Sequence, residues 1–190
     1  MTSHRPYHHG DLRAALLRAA VEVIDERGPA ALSLRQVARR AGVTHTAAAY
    51  HFGDKAGLLT AIAVEGYRRL GATLAHAGAH GRLLDVGAAY VTFAVTNRAY
   101  FEVMFRPELL DREDEELRQA RARTAHILYG TDAPSADQLA DGVAAWAMVH
   151  GLATLWLDGN VPPQLGSDPT TVTRLVAARL KTRRGRVRTR

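Results

Sequence analysis

The 190-residue chain contains no cysteine. This absence excludes disulfides, thiol nucleophiles and every zinc site that depends on thiolate ligands. Long apolar segments are missing too, since no apolar run reaches the about 18 residues that a membrane span requires. The first residues are polar and lack the apolar stretch of a signal peptide. We therefore expect a cytoplasmic protein, long enough for one domain or for a small module joined to a larger one.

Enzyme signatures are also missing. The chain contains no Gly-x-Ser-x-Gly, phosphate loop, dinucleotide fingerprint or His-Glu-x-x-His. His76 and His80 have the spacing of a metal-binding pair on a helix, but their segment is rich in alanine and glycine and offers no nearby carboxylate. We predict no catalytic site, no metal and no cofactor.

The net charge of +6 is unevenly distributed along the chain. Residues 1–70 carry ten Lys/Arg against six Asp/Glu, and residues 71–180 carry nine against thirteen. The last ten residues hold six basic groups and no acid. A basic front indicates that a polyanion binds there. The tail, 181–190, is expected to be largely disordered, and it is either a solvated extension or an accessory arm that contacts phosphates.

Helical periodicity runs through nearly the whole chain and predicts an all-α fold. The first helix stops at Gly28-Pro29, and Asp54 can cap a long helix. Residues 89–96 are rich in strand formers, but they continue a helical pattern and have no partner strand, so we predict a helix there as well. The remaining helices are predicted at 34–41, 45–51, 82–97, 99–106, 111–129, 135–158 and 169–180.

Residues 33–55 have the layout of a helix-turn-helix. Ser33 can cap a short helix that ends at Ala41, and Gly42 permits the left-handed turn that follows. Thr44 can cap a second short helix, which Gly53 closes. In this motif the second helix lies in the major groove, with its first residues facing base edges.

The exposed face of the second short helix is unusual for a purely structural element. It offers His45, Thr46, Tyr50 and His51, which suit base edges or phosphates, among small alanines that permit close approach. The alternative is a helical hairpin whose polar residues only face solvent.

The chain closely resembles the TetR family of bacterial transcriptional regulators. Residues 32–44 read Leu-Ser-Leu-Arg-Gln-Val-Ala-Arg-Arg-Ala-Gly-Val-Thr, and residues 50–59 read Tyr-His-Phe-Gly-Asp-Lys-Ala-Gly-Leu-Leu. The opening at 7–12 and the sequence Trp146-Ala-Met-Val-His150-Gly151 are similar to a subgroup with a Trp-x-x-x-His-Gly signature. The resemblance implies an all-helical homodimer with a helix-turn-helix DNA-binding domain at 1–53, a ligand-binding and dimerisation domain at 54–180, and the tail.

The resemblance also suggests which residues contact DNA. Many members have a phosphate-contacting Tyr three residues before the Phe that ends the recognition helix, whereas this chain has Ala49 there. Tyr50 and His51 are the candidates to replace that contact, and Lys55 can reach the backbone as a point charge. The candidate DNA-binding residues are Ser33, Thr44, His45, Thr46, Tyr50, His51 and Lys55.

The C-terminal half fits a regulatory role. Between Leu139 and Leu157 the sole charged residue is Asp141, and apolar residues fall on every face of the predicted helix. Such a helix must be buried on both sides, one against a partner chain and the other along a pocket. For His150 we favour a core position with a satisfied polar tip over direct ligand contact. The candidate pocket residues are Tyr90, Phe93, Phe101, Met104, Trp146 and His150, which suit an apolar or aromatic small molecule.

These observations predict a ligand-responsive regulator of the bacterial cytoplasm that binds double-stranded DNA at a palindromic operator and is associated with the nucleoid when bound. Repression is the expected mode, with release of the operator by a small molecule. Two alternatives remain: an architectural protein that binds nucleic acid without sequence preference, and a helical enzyme.

Overall fold

The computed structural model describes residues 9–80, 83–129 and 134–184, and within these ranges the regular structure is helical throughout. The α-helices are α1 (His9–Arg27), α2 (Leu34–Arg40), α3 (His45–Phe52), α4 (Lys55–His80), α5 (Leu83–Thr96), α6 (Arg98–Met104), α7 (Glu115–Tyr129), α8 (Ala136–Leu157) and α9 (Pro169–Arg184). Short 3₁₀ turns occupy Pro29–Ala31, Pro107–Leu109 and Pro163–Leu165. The predicted all-α fold is confirmed, and residues 89–96 are helical rather than extended.

Two predicted helix boundaries, the start of α7 and the end of α9, differ from the structure by four residues each. Helix α7 begins at Glu115 instead of residue 111, because Asp114 caps it by accepting a hydrogen bond of 2.7 Å from the backbone N–H of Leu117. Helix α9 continues to Arg184 and so includes the first four residues of the tail, for which we expected disorder. Once a helix is nucleated, each added residue gains a backbone hydrogen bond at little further cost. The rest of the tail, 185–190, lies outside the described residues.

The chain folds as two compact units. Among the described residues, the first unit contains those up to Gly66 together with Ala99–Arg118, and the second contains those from Tyr67 to Arg98 and from Gln119 onwards. We expected the DNA-binding domain to end at residue 53. In the structure the first unit extends into α4 and takes in α6 as well.

The first unit is built on α1, α2 and α3, which pack against one another. Leu16, Ala20, Val37 and Ala48 are buried between them. Apolar residues of α4 are also buried. In this unit α4 contributes Leu58, Leu59 and Ile62, each with at most 1% of its surface exposed. The short helices are therefore held by tertiary packing rather than by their own propensity.

The second unit is organised around α5, which packs against both α8 and α9. At Gly87 the approach to α8 is close, since a Cβ there would lie 3.2 Å from Cγ1 of Val149. On the other side, Arg174 of α9 forms an ion pair of 2.7 Å with Asp85. In the described ranges no helix combines the length and the apolarity needed to cross a bilayer.

Candidate nucleic-acid interface and ligand cavity

The turn between α2 and α3 has the predicted helix-turn-helix geometry. Ser33 Oγ accepts from the backbone N–H of Gln36 at 3.3 Å, which caps α2. Gly42 has a φ of 69°, in the left-handed region that few side chains tolerate. Thr44 Oγ1 then caps α3 by accepting from the N–H of Ala47 at 3.2 Å. The predicted caps and the left-handed glycine are confirmed.

Helix α3 is attached by one face and exposed on the other. Ala48 and Phe52 are buried against the unit, whereas His45 and Thr46 in the first turn are exposed. Tyr50 follows one turn later with 82% of its surface exposed. The structure therefore brings Thr44, His45, Thr46 and Tyr50 onto a single accessible surface at the start and middle of α3.

The junction between α3 and α4 is tight. Asp54 Oδ1 caps α4 by accepting from the backbone N–H of Gly57 at 2.9 Å, as predicted. A Cβ atom at Gly57 would lie only 2.1 Å from the carbonyl oxygen of Phe52, closer than real atoms approach. Glycine is thus required at position 57 if α4 is to begin directly beneath the end of α3.

The second unit contains a cavity of about 350 Å³ between α5, α7, α8 and α9. Its walls are mostly apolar. From α5 come Leu83, Leu84, Val86, Gly87 and Tyr90; from α7, Ile127 and Leu128; from α8, Asp141, Ala144, Ala145, Trp146, Met148 and Val149; and from α9, Thr173 and Ala177. Cavities of this size and composition bind small organic molecules.

A chain of hydrogen bonds crosses the wall of this cavity. Trp146 Nε1–H donates to Tyr90 Oη at 3.1 Å, and Tyr90 Oη lies 2.9 Å from Nδ1 of His150. Burial lowers the pKa of His150, which favours the neutral ring and leaves Nδ1 able to accept. Burial also raises the pKa of the Tyr90 phenol, which therefore keeps its proton. The tryptophan can only donate, so the phenol accepts from Trp146 and donates to His150.

Two family models match the chain. The model described as bacterial regulatory proteins, tetR family, covers residues 16–62, and the tetracyclin repressor-like C-terminal domain covers residues 83–180. The transcriptional regulator BetI 1 of Chromohalobacter salexigens is 31% identical in an alignment of 168 residues, and the match covers 80% of this chain and 80% of that protein. The chain belongs to the TetR family.

Other relatives resemble parts or the whole of this TetR-family chain. A helix-turn-helix transcriptional repressor of Mycobacterium tuberculosis is 42% identical over 57 residues, and the match spans 30% of the length of each protein. A solved structure from Rhodococcus, of a protein with unknown function, is 32% identical with a TM-score of 0.75. It covers 96% of this chain and 98% of its own.

Of the remaining DNA-binding candidates, Ser33 is exposed, whereas His51 and Lys55 are less accessible than the surface of α3. The Lys55 ammonium donates to the carbonyl oxygen of Ala30 at 2.8 Å, which ties the start of α4 to the 3₁₀ turn. The His51 ring is half-buried, with its centroid 5.5 Å from that of Tyr50 and 6.2 Å from that of Phe52. The Lys55 ammonium has three N–H donors, and Ser33 keeps its hydroxyl proton. Both residues can therefore still donate a hydrogen bond to a phosphate.

Sequence reasoning missed several charged side chains of this TetR-family domain. Arg35 and Arg39 are exposed on α2 and add positive charge to the helix-turn-helix. Arg40 instead pairs with Glu22, at 3.4 Å, and with Glu26, joining α2 to α1. Its hydrogen bond lowers the pKa of the Glu26 carboxyl. A basic run at the end of a short helix indicates DNA contact but cannot tell which arginines are engaged by acids from another helix.

The candidate pocket residues are distributed over several places. Tyr90 and Trp146 line the cavity, and His150 bonds to Tyr90 behind the wall. Phe93 is buried and borders a separate, more polar cavity of about 300 Å³. Phe101 and Met104 are buried in the first unit, and neither lines the cavity described here. The α5 residues Leu83, Val86 and Gly87 were missed, although their spacing places them on the same face of the helix as Tyr90.

Proposed function

We propose that this TetR-family protein is a repressor that binds a palindromic operator as a homodimer and leaves it when a small molecule occupies the cavity. The exposed surface of α3 carries the proposal. A rigidly capped helix of eight residues presents imidazole, hydroxyl and phenol groups and buries its opposite side. These groups can donate to and accept from base edges in the major groove.

Exposed apolar residues on α8 and α9 support a homodimer. Val143 and Leu155 of α8 retain 44% and 48% of their surface, and Leu175 of α9 retains 39%. Gly151 lies between Val143 and Leu155 in the sequence of α8, and an added Cβ there would meet nothing within 4 Å. A second copy of α8 and α9 can cover such a surface. Two-fold symmetry then implies two half-sites with a palindromic sequence.

The proposed release mechanism is a shift between two orientations of the DNA-binding domains in the dimer. A small molecule moves this equilibrium only by the difference between its affinities for the two states. The cavity is therefore expected to differ in shape between the operator-bound and the released dimer.

The proposal is tested by separating base readout from phosphate contact. The operator is first selected from a random DNA pool, and affinities for it and for random DNA are then measured by fluorescence anisotropy. His45→Ala should cost about 1–3 kcal/mol on the operator and less on random DNA. Lys55→Ala should weaken both to a similar degree, because phosphates carry no sequence information. His76→Ala, an exposed histidine of the second unit, is the matched control and should change neither affinity.

Two results would count against the proposal. Equal losses on both DNAs for His45→Ala and Lys55→Ala would mean that α3 does not read bases. Failure of the random pool to yield a preferred, palindromic sequence would favour the architectural alternative.

A further inference from the structure

The cavity of the second unit is apolar, and its polar groups are few. Among the described residues that line it, those with polar side chains are Tyr90, Asp141, Trp146 and Thr173. What these groups can offer to a bound molecule depends on where their hydrogen atoms already point.

The donors on the cavity wall are directed to protein acceptors. The indole N–H of Trp146 points to the phenol oxygen of Tyr90, and the phenol proton points to His150. Thr173 is fully buried and its hydroxyl donates to the carbonyl oxygen of Pro169 at 2.7 Å. A molecule in the cavity therefore meets side chains whose protons are engaged elsewhere.

Acceptors remain. The Thr173 hydroxyl keeps lone pairs after donating its proton, but the residue is fully buried and does not present them to the cavity. The accessible acceptor is Asp141, an exposed residue that also lines the cavity. Its carboxylate accepts only and has about four lone-pair sites, so a protein contact at one site leaves others usable. It also brings a negative charge to a wall on which no described residue is Lys, Arg or His.

We propose that the effector carries an ammonium group on an apolar body, with the ammonium directed to Asp141 and the body between α5 and α8. This inference rests on the proposed function and adds the chemical class of the ligand. Among the described residues of the wall, a carboxylate ligand would meet a like charge and no available side-chain donor, so its desolvation would be uncompensated. A neutral alcohol would lose the charge-assisted hydrogen bond.

The test uses three probes with the same phenylpropyl carbon skeleton: 3-phenylpropylamine, 3-phenylpropan-1-ol and 3-phenylpropanoate. A second set has a five-carbon chain and the same three polar groups: 5-phenylpentylamine, 5-phenylpentan-1-ol and 5-phenylpentanoate. Binding to the full-length protein is measured by calorimetry and by the rise in Tm. The amines should bind more tightly than the alcohols, and the carboxylates most weakly. The amine affinity should also fall as the ionic strength rises.

Two variants test whether the carboxylate of Asp141 is the group that binds the ammonium. Asp141→Asn keeps the size of the side chain and should weaken amine binding about fivefold, as expected for a partly solvated pair, and remove the preference over the alcohol. Asp137→Asn is the control, an exposed aspartate in the first turn of the same helix that does not line the cavity. It should bind the amines like the unmodified protein.

The outcomes separate this inference from the proposed function. Three results would each overturn the inference. The alcohols could bind as tightly as the amines, the amine affinity could be unchanged in Asp141→Asn, or no amine could bind. Operator release is measured independently, by anisotropy of labelled DNA. Amine binding that depends on Asp141 but leaves the operator bound would keep the inference and contradict the proposed release mechanism.

Discussion

Gly57 is the residue at which α4 passes closest to the end of α3. In Gly57→Ala the new Cβ would meet the carbonyl oxygen of Phe52 at 2.1 Å, and backbone must move to relieve the clash. We expect a loss of about 1–3 kcal/mol in the free energy of unfolding, as for other overpacked sites, and weaker operator binding because α3 is displaced.

The control is Gly71→Ala on the same helix, where the added Cβ would lie 3.4 Å from Thr124 Oγ1, an ordinary contact. This substitution should be neutral or stabilise the protein by up to about 1 kcal/mol, because alanine favours helix more than glycine does. Equal denaturation midpoints for the two variants would show that the α3–α4 junction tolerates a side chain.

His150 gives the second unit a predictable response to pH. Burial lowers its pKa in the folded protein, so the unfolded chain takes up the proton first as the pH falls below the ordinary value of about 6.5. The free energy of unfolding should therefore decrease from that pH down to the folded-state pKa and then level off. Protonation also places a second donor against Tyr90 Oη, where the structure needs an acceptor.

His150→Asn keeps an acceptor near the position of Nδ1 but does not titrate. Urea denaturation of both proteins from pH 8 to pH 5 should show a smaller loss of stability for the variant, and the difference should be confined to pH values below about 6.5. A parallel decline in the two proteins would mean that His150 is not the group responsible.

Single-residue predictions succeeded where the partner is near in sequence. The caps Ser33, Thr44 and Asp54 were predictable because each bonds to an N–H three residues ahead. The satisfied polar tip expected for His150 has its partner in Tyr90, sixty residues away. Such a pairing depends on how α5 packs against α8, which the pattern along one helix does not contain.

Helix α7 shows at the scale of elements how capping decides where a helix starts. Asp114 Oδ1 accepts from the backbone N–H of Leu117, and Leu117 itself is buried. Asp114→Ala removes the cap and should lower the free energy of unfolding by about 1 kcal/mol, whereas Asp114→Ser keeps a capping oxygen and should cost less. Thermal unfolding followed by circular dichroism measures both. A serine variant no more stable than the alanine variant would argue against capping.

The helices themselves were largely predictable, because apolar periodicity and the positions of glycine and proline reflect local requirements. The start of α7 was misplaced because a run of acids from Asp111 to Glu116 suits the first turn of a helix and also the loop before it. Similarly, charge density suggested disorder at 181–184, but the helix that precedes them continues. Local composition does not report the support that a segment receives from an adjoining packed helix.

For the whole molecule, the proposed dimer predicts a specific sensitivity on α8. Val143→Arg places a charge on the exposed apolar surface and should produce monomers, because an unpaired charge cannot be buried at an apolar interface. Light scattering after size exclusion measures the mass, and operator affinity should fall as the two half-sites are no longer bound together. Ala75→Arg, at an exposed position of α4, is the control and should stay dimeric. A dimeric Val143→Arg protein would contradict an interface on this part of α8.

The bond between Trp146 and Tyr90 has an optical consequence. The chain has two tryptophans, and Trp146 lines the cavity whereas Trp156 does not. A molecule entering the cavity changes the polarity around one indole and leaves the other as an internal reference. The emission spectrum of the unlabelled protein should therefore report occupancy of the cavity directly, and Trp146→Phe should remove that response while keeping the fluorescence of Trp156.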